Sequence, residues 1–219
     1  MRIEASLREK NINVDQMTGA DATIMEFISS KISQEKKLLR EKYLQQRLRM
    51  PSEEWKIKSD RICENIYNSS LFQNAKVILS YLSFKKEADL SLLHQQSKIR
   101  WGLPRCQGKN LSWHQWQWGD FLEKGTYNIP EPSIHSPLID LTVVDLILVP
   151  CVMLDRFGYR LGYGGGYYDR MLVNYNHIPT IGIVFDFAYV SELSIESWDQ
   201  PLNYICTEFT LEKSLYQIL

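Results

Sequence analysis

The chain has 219 residues, with 25 Lys and Arg against 26 Asp and Glu, a formal charge of -1 and 44% hydrophobic residues. This length suits a single domain, and the composition is that of an ordinary globular protein, which excludes collagen, low-complexity disorder and a coiled coil along the whole chain. A protein that binds nucleic acid over its whole surface is usually strongly basic, so we expect no nucleic-acid partner.

The sequence indicates neither a membrane span nor an oxidising compartment. The longest apolar stretch, 146–154, contains Pro150 and is far shorter than the roughly 20 residues that cross a bilayer. The first thirty residues contain no signal-peptide core. The four cysteines are widely spaced and form no Cys-x-x-Cys pair, so the sequence predicts neither a zinc knuckle nor a disulfide framework. We therefore expect a cytoplasmic protein without a membrane partner, and a monomer as its simplest assembly.

Residues 1–30 are predicted to form an N-terminal arm, and residues 31–219 a single α/β domain. The arm has weak apolar periodicity, which is typical of a mobile terminus. Met25 lies shortly before the domain, so an artefact of start-site choice is an alternative explanation of the arm.

The predicted strands alternate with helices, which is typical of an α/β fold with a mainly parallel sheet. Ser33 is a good helix N-cap and Pro51 stops a helix, so we expect a first helix over 33–50. Ser52, followed by two acidic residues, begins a second helix that ends near 68. Further helices are expected at 89–96, 167–174 and 211–219. The predicted strands are 77–83, 99–104, 111–118, 143–149, 179–185 and 204–207, the last of them at a sheet edge.

Basic and acidic residues are concentrated in different segments of the chain. Ten basic and five acidic residues lie between Lys31 and Arg61, whereas 171–212 contains six acidic residues and no Lys or Arg. A cationic helix pair and an anionic segment can meet across a polyanion and its metal ion. The alternative is ordinary solvated surface, which accounts for most of these charges.

Four glycines within five positions, Gly162 and Gly164 to Gly166, form the most informative segment. They follow the strongest predicted strand and precede a predicted helix. Glycine lets successive backbone N–H groups turn toward one anion, and a helix N-terminus adds partial positive charge. The segment lacks the Lys-Ser/Thr of a Walker A loop and the last glycine of a dinucleotide fingerprint. It predicts a phosphate-binding loop, with a glycine-rich turn shaped only by packing as the alternative.

Arg160 and Asp169 flank this loop with chemistry that suits a phosphate and its metal ion. An arginine can hold phosphate through two parallel N–H groups. A carboxylate beside a phosphate can hold Mg²⁺, because hard cations prefer oxygen ligands. For Asp169, capping or neutralising the start of the next helix is an equally good interpretation.

Several motifs together resemble the 5-formyltetrahydrofolate cyclo-ligase family, also called 5,10-methenyltetrahydrofolate synthetases. The resemblance covers about 33–207. Its motifs are Asp145-Leu146-Ile147-Leu148-Val149-Pro150, then Asp155, Gly158 and Arg160-Leu161-Gly162-x-Gly164-x-Gly166-Tyr167-Tyr168-Asp169, with Lys36-Lys37-Leu38-Leu39-Arg40 and Tyr81-Leu82-Ser83-Phe84-Lys85-Lys86-Glu87 in support. The glycine signature is long and ordered, so it is the most specific of these motifs.

The resemblance implies an ATP-dependent, Mg²⁺-requiring cyclisation of 5-formyltetrahydrofolate to 5,10-methenyltetrahydrofolate. ATP is the co-substrate: it phosphorylates the formyl oxygen, N10 attacks the formyl carbon, and ADP and phosphate are released. The implied fold is a three-layer α/β domain similar to the ribose-5-phosphate isomerase and CoA-transferase-like fold.

The resemblance also assigns roles to residues that match the family's motifs. Arg160 and Tyr167 are implied to be catalytic, and Asp169 and Asp199 match the two Mg²⁺ positions. The implied ATP contacts are Lys36, Lys37, Arg40, Arg160, Leu161, Gly162, Tyr163, Gly164, Gly165, Gly166, Tyr167 and Tyr168. The implied folate contacts are Leu82, Glu87, Tyr163, Gly164, Gly165, Gly166 and Tyr167.

Each of these residues also has a purely structural interpretation. Without the resemblance, the lysines of the first helix would be taken as solvated, and Lys37 points about 100° away from Lys36 around the helix. Tyr168 suits core packing, Asp199 suits a turn, and Glu87 suits a surface acid paired with its lysine neighbours.

Three positions depart from the pattern of some family members. Gly165 stands where some carry Lys, Tyr163 where some carry Arg, and Asn203 where some carry Asp. These departures leave ATP affinity and metal geometry open. Two other functions also stay open: a sugar-phosphate isomerase-like protein that uses no ATP, and a nucleic-acid-binding module built on the basic helix and the tryptophans.

Overall fold

The computed structural model describes residues 19–218, and the side chains of residues 26–218. The helices are α1 (Gly19–Arg49), α2 (Ser52–Tyr67), α3 (Ser70–Gln73), α4 (Ser91–His94) and α5 (Tyr167–Leu172). The strands are β1 (Val77–Leu79), β2 (Arg100–Gln107), β3 (Asn110–Trp116), β4 (Leu122–Lys124), β5 (Pro130–Pro132), β6 (Leu146–Pro150), β7 (Met153–Asp155), β8 (Arg160–Leu161), β9 (Thr180–Ile183), β10 (Tyr189–Val190), β11 (Tyr204–Cys206) and β12 (Leu211–Lys213). No helix within this range is long and apolar enough to cross a membrane.

Seven of these strands form one large sheet in the order β12-β11-β9-β6-β1-β2-β3. The five central strands, from β11 to β2, pair in parallel. The two outer strands, β12 and β3, pair antiparallel with their neighbours. Two small sheets, β10-β7-β8 and β4-β5, lie outside it. The prediction of an α/β domain with a mainly parallel sheet is therefore confirmed.

The central strands are buried on both faces. Alternate residues of β6 point to opposite sides: Leu148 packs in a cluster with Ile62 and Ile66 of α2. Ile147 packs in the opposite cluster, which contains Leu172 of α5 and the inner face of α1. Helices thus cover the sheet on both sides, which gives three layers.

Helix α1 begins earlier than the sequence predicted. Ser33 was expected to cap it, but the helix is continuous from Gly19. No proline or glycine lies between 20 and 49, and serine is tolerated inside a helix, so nothing breaks it at Ser33. Residues 19–30, which were predicted to belong to an arm, are therefore helical, and residues 1–18 of that arm lie outside the described residues.

The C-terminal prediction was wrong in two respects. Residues 211–219 were expected to form a helix, but Leu211–Lys213 is a strand and Leu215–Gln217 a 3-10 turn. The strand at Tyr204–Cys206 was expected at the sheet edge, yet it pairs with β9 on one side and β12 on the other. A tight turn, closed by a hydrogen bond from the Thr207 N–H to the Thr210 carbonyl, reverses the chain direction after β11. It therefore places β12, and not β11, at the edge of the sheet.

Candidate active site

One face of α1 carries three cationic side chains, Lys36, Arg40 and Arg47. Their spacing of four and then seven residues keeps them on one side of the helix, over roughly 16 Å of its length. All three lie well inside α1, so the partial charge of the helix N-terminus does not reach them. Lys36 contacts the turn at 196–199, Arg40 contacts the glycine loop, and Arg47 contacts that loop and the segments around Lys85 and Cys151.

Lys36 lies against two carboxylates. Its ammonium nitrogen is 3.0 Å from Glu196 and 2.5 Å from Asp199. The same Asp199 oxygen accepts the backbone N–H of Glu196 at 2.8 Å. The structure thus joins an expected ATP contact, Lys36, to an expected metal ligand, Asp199, and adds Glu196, which the sequence did not single out.

Arg40 joins α1 to the glycine loop. Its Nε donates to the Gly162 carbonyl at 2.7 Å. A Cβ placed on Gly164 would lie 3.5 Å from the Arg40 guanidinium carbon, so the loop backbone passes directly beside the cation. Burial lowers the pKa of this guanidinium, which indicates a partly desolvated charge. Two segments that were each implied to contact ATP, the cationic helix and the glycine loop, thus lie side by side.

The loop adopts a backbone that favours glycine at two positions. Gly164 has φ +98° and Gly166 has φ +66°, in the left-handed region that other residues rarely adopt. Gly166 immediately precedes α5. The side chain of Tyr167 lies over the loop. Its ring is so close to Gly165 that a Cβ added there would lie 2.7 Å from it.

Arg160 and Asp169 form an ion pair beside the loop. The Arg160 Nη1 atom lies 3.0 Å from the Asp169 Oδ1 atom. That oxygen also accepts the backbone N–H of Gln200 at 3.3 Å. Because Gln200 follows Asp199 in the chain, the two acids predicted to bind metal approach the same turn.

The chemistry of Asp169 and Asp199 fits an ion brought in with a nucleotide. Mg²⁺ is usually held by one or two carboxylates together with substrate phosphates and water. Among the described residues, no group of three or more His, Cys, Asp and Glu is arranged to hold a metal ion. An ion held by these two acids would take its other ligands from phosphate oxygens and water. Each acid is paired with a cation, Arg160 or Lys36, of the kind that phosphate attracts.

Glu87 is buried at the far end of the cationic face of α1, with only 5% of its surface exposed. Burial raises its pKa to about 7, and this outweighs the opposite effects of Arg47, the Phe84 N–H and the Tyr163 hydroxyl. The Phe84 N–H donates to its Oε2 at 3.0 Å. The alternative of an exposed acid paired with Lys85 and Lys86 is therefore wrong.

The remaining predicted residues fall into three environments. Tyr167 lies at the surface of the site, where its hydroxyl donates to the Gly108 carbonyl at 3.2 Å. Tyr168 instead packs against the core, edge-on to Trp113. Tyr163 lies over Phe84, with ring centroids 5.7 Å apart. The Lys37 side chain is exposed, Leu82 is half-buried and Leu161 is buried.

Arg47, which is only 4% exposed, is a site residue to which the sequence assigned no role. Its Nε donates to the Lys85 carbonyl at 3.0 Å, and its Nη1 donates to the Cys151 carbonyl at 3.2 Å. Its position seven residues after Arg40 was a usable signal, because that spacing returns to the same helix face. Arginines at such spacings are common on solvated faces, so the pattern alone could not reveal burial.

The tryptophans mostly serve the core. Trp113 and Trp116 are buried at 2% and 3% exposure, and neither can act as an open stacking surface for bases. Trp118 is half exposed and packs edge-on to Trp116. Two of the three tryptophans are therefore unavailable to stack on bases, which weakens the hypothesis of a nucleic-acid-binding surface.

Comparison with known proteins agrees with this geometry. The family model for 5-formyltetrahydrofolate cyclo-ligases matches residues 32–208, which include the part of α1 from residue 32 onward, the glycine loop and the turn at Asp199. The chain belongs to the 5-formyltetrahydrofolate cyclo-ligase family. A cyclo-ligase of Escherichia coli (strain K12) is 40% identical over 83 residues, which cover 34% of this chain and 46% of that protein. In that match the chain thus spans about half the length of the curated relative.

Two further relatives extend over more of the cyclo-ligase chain. The 5-formyltetrahydrofolate cyclo-ligase of Mus musculus is 25% identical over 183 residues, or 75% of this chain and 90% of that protein. The solution structure of the Aquifex aeolicus 5,10-methenyltetrahydrofolate synthetase is 30% identical, with a TM-score of 0.74, and covers 81% of this chain and 92% of that one. The resemblance first seen in short motifs thus extends to the whole fold.

The left-handed conformation at Gly164 can be tested by two alanine substitutions in the same loop. Gly164→Ala should lower the free energy of unfolding by about 1–2 kcal/mol, because a Cβ is strained at this φ. Gly162→Ala is the matched control, since its φ is not in the left-handed region and a Cβ there meets nothing within 4 Å. Urea unfolding of both variants checks this, and equal stabilities would contradict the loop geometry.

Burial of Glu87 predicts a stability that decreases as pH rises. Its pKa of about 7 lies above the ordinary 4.5, so between these values the folded protein keeps a proton that the unfolded chain has released. The stabilisation is complete below pH 4.5 and is lost as pH rises through 7, by at most about 1.4 kcal/mol per pH unit.

Urea unfolding between pH 4.5 and 8 measures this slope. Glu87→Gln should flatten it, because the amide does not titrate, whereas the exposed Glu64→Gln should leave the wild-type slope unchanged. If Glu87→Gln has the wild-type slope, the carboxyl group does not titrate as its burial requires.

Proposed function

We propose that this chain catalyses the ATP-dependent cyclisation of 5-formyltetrahydrofolate to 5,10-methenyltetrahydrofolate, with release of ADP and phosphate. The observation that carries the proposal is the contact between Arg40 and the glycine loop, at 2.7 Å from Nε to the Gly162 carbonyl. It places a cationic helix face and a run of backbone N–H groups beside one another, as a triphosphate requires. Membership of the cyclo-ligase family supplies the folate substrate class.

In this proposal the nucleotide phosphates lie between α1 and the glycine loop. The N–H groups of Gly164, Gly165 and Gly166 bind phosphate oxygens, while Lys36, Arg40 and Arg160 neutralise their charge. Lys37, Leu161, Gly162, Tyr163, Tyr167 and Tyr168 complete the proposed ATP contacts. Lys37 and Tyr168 contribute least, because the former is exposed and the latter packs on Trp113.

Asp169 and Asp199 are the proposed Mg²⁺ ligands. A bound ion would neutralise phosphate charge and fix the orientation of the terminal phosphoryl group. Lys36 and Arg160, which pair with these acids in the structure, are then available to the phosphate oxygens. The exchange would leave these two acids and two cations paired both before and after binding.

The folate is proposed to lie at the Glu87 end of the site. The Glu87 carboxylate accepts the ring and amino N–H groups of the pterin edge, and Leu82 packs beside it. Tyr163, Tyr167 and the glycine backbone lie between this position and the phosphates, which brings the formyl group of the substrate next to the terminal phosphoryl group.

The proposed chemistry requires no nucleophile from the protein. The formyl oxygen takes the terminal phosphoryl group and ADP leaves, then N10 attacks the formyl carbon and loses its proton as phosphate departs. Arg160 stabilises the charge on the transferring phosphoryl group, and Tyr167 covers the reacting groups against water. The rate enhancement comes from positioning and charge stabilisation, as in other phosphoryl transfers.

Several broader features belong to the same proposal. The three-layer sheet is proposed to be of the ribose-5-phosphate isomerase and CoA-transferase-like type. The protein is proposed to act as a cytoplasmic monomer, with no nucleic acid or membrane partner. A sugar-phosphate isomerase of this fold would need no nucleotide, so binding of ATP separates that function from the cyclo-ligase.

Absorbance of the methenyl product tests the proposal directly. Protein supplied with 5-formyltetrahydrofolate, ATP and Mg²⁺ should form it, and a chelator should stop the reaction. Asp169→Asn should lower turnover at least about 100-fold, because the amide cannot replace a charged ligand of Mg²⁺.

Glu64→Gln, which removes an exposed acid from α2, is the matched control and should keep wild-type turnover. Circular dichroism should show that both variants remain folded. Absence of product from folded wild-type protein contradicts the proposed function. Wild-type turnover by Asp169→Asn removes Asp169 from the metal site while leaving the reaction intact.

A further inference from the structure

Arg47 is the most completely buried cation of the site, and its hydrogen bonds leave part of it unused. A guanidinium has five N–H donors. Three of them reach acceptors: the Lys85 carbonyl, the Cys151 carbonyl and the Tyr163 hydroxyl. Two donors therefore have no hydrogen-bond acceptor among residues 26–218. A buried charge with unused donors is costly unless a ligand completes it.

The distance from Arg47 to Glu87 points in the same direction. Arg47 Nη2 lies 4.0 Å from Glu87 Oε1, although both side chains are at least 95% buried. Arginine and carboxylate form direct bonds of about 2.7–2.9 Å when they saturate each other. At 4.0 Å the guanidinium and the carboxylate do not saturate each other. A ligand that lies beside both can therefore accept from the first and donate to the second.

A small slot borders this pair. Cys151, Val152, Val184, Phe185 and Phe187 line it together with Arg47 and Glu87. Phe185 and Phe187 are stacked, with ring centroids 6.1 Å apart. Polar groups that converge beside flat aromatic rings suit a flat heterocycle.

The hydrogen-bonding edge of a pterin matches both charged groups. It presents the N2 amino group and the N3–H as donors, followed by the O4 carbonyl as an acceptor. The Glu87 carboxylate complements the two donors but cannot donate to O4. The Arg47 guanidinium, which lies beside Glu87, can donate to O4.

We propose that Arg47 is a substrate-specificity residue that donates a hydrogen bond to the pterin O4 atom while Glu87 accepts from N2 and N3. The inference rests on the proposed function, since it names a pterin as the occupant of the slot. It extends the predicted folate contacts to Arg47, to which the matched motifs assign no role. Tyr163, which receives one Arg47 donor and covers Phe84, then orients the guanidinium toward the slot.

Equilibrium binding without ATP tests this inference separately from catalysis. The two probes are 5-formyltetrahydrofolate and 5-formyltetrahydropterin, which lacks the aminobenzoyl-glutamate tail. Arg47→Gln should weaken both at least about 10-fold, because a hydrogen bond from a charged donor is lost. The KM for ATP should stay within about twofold of the wild-type value, which a general structural defect would not achieve.

Arg49→Gln is the matched control, since it removes an exposed arginine two residues further along α1. It should bind both probes like the wild type. Unchanged binding of both probes by Arg47→Gln overturns the inference. Weakened binding of the full substrate alone also overturns it, because Arg47 would then contact the tail carboxylates instead of the pterin.

A crystal structure of the wild-type protein with 5-formyltetrahydropterin decides the matter if Arg47→Gln does not fold. The O4 atom should lie within about 3.2 Å of a guanidinium nitrogen of Arg47. Another acceptor at that position, or a pterin outside the slot, contradicts the inference. If the wild type binds neither probe, the inference and the proposed function are both overturned. If the wild type turns over its substrate and Arg47→Gln binds both probes like the wild type, only the inference is overturned.

Discussion

The hydrogen bond from Arg40 to the Gly162 carbonyl is the contact on which the arrangement of the site depends. It joins α1, which comes early in the chain, to a loop more than a hundred residues later. Because α1 is continuous, fixing Arg40 at the loop also fixes Lys36 and Arg47 at the two ends of the same stripe. One continuous helix thereby sets the separation between the proposed phosphate end of the site and the proposed pterin end.

The charges of the site are paired with one another. Lys36 pairs with Asp199 and Glu196, and Arg160 pairs with Asp169. These cations and acids are the same groups that a nucleotide and its metal ion would attract. A magnesium–nucleotide complex carries both signs of charge, so it can take over both sets of partners without leaving a buried charge alone. At the other end, Arg47 and Glu87 stand 4.0 Å apart and are not saturated in this way.

Much of this arrangement could be predicted from the sequence. The glycine signature and the Lys36–Arg40 motif indicated the family. The alternation of buried strands with helices predicted the α/β sheet. The start of α1 could not be predicted from Ser33, since a good cap residue is also acceptable within a helix that nothing interrupts. The strand at Leu211–Lys213 was missed because its conformation depends on pairing with β11, which is a tertiary contact.

The burial of Arg47 and Glu87 was beyond sequence reasoning for the same reason. Both residue types are usually exposed, and only the meeting of α1 with the segments around Lys85 and Cys151 removes them from water. Tyr168, a predicted nucleotide contact, packs edge-on to Trp113, whereas its neighbour Tyr167 lies over the glycine loop.

A crystal structure with Mg²⁺ and a non-hydrolysable ATP analogue tests the central claim most directly. We expect phosphate oxygens within about 3.2 Å of both the Lys36 or Arg40 side chain and the backbone nitrogens of Gly164 to Gly166. A triphosphate that contacts only one of these two elements, or that lies elsewhere on the protein, would contradict the account.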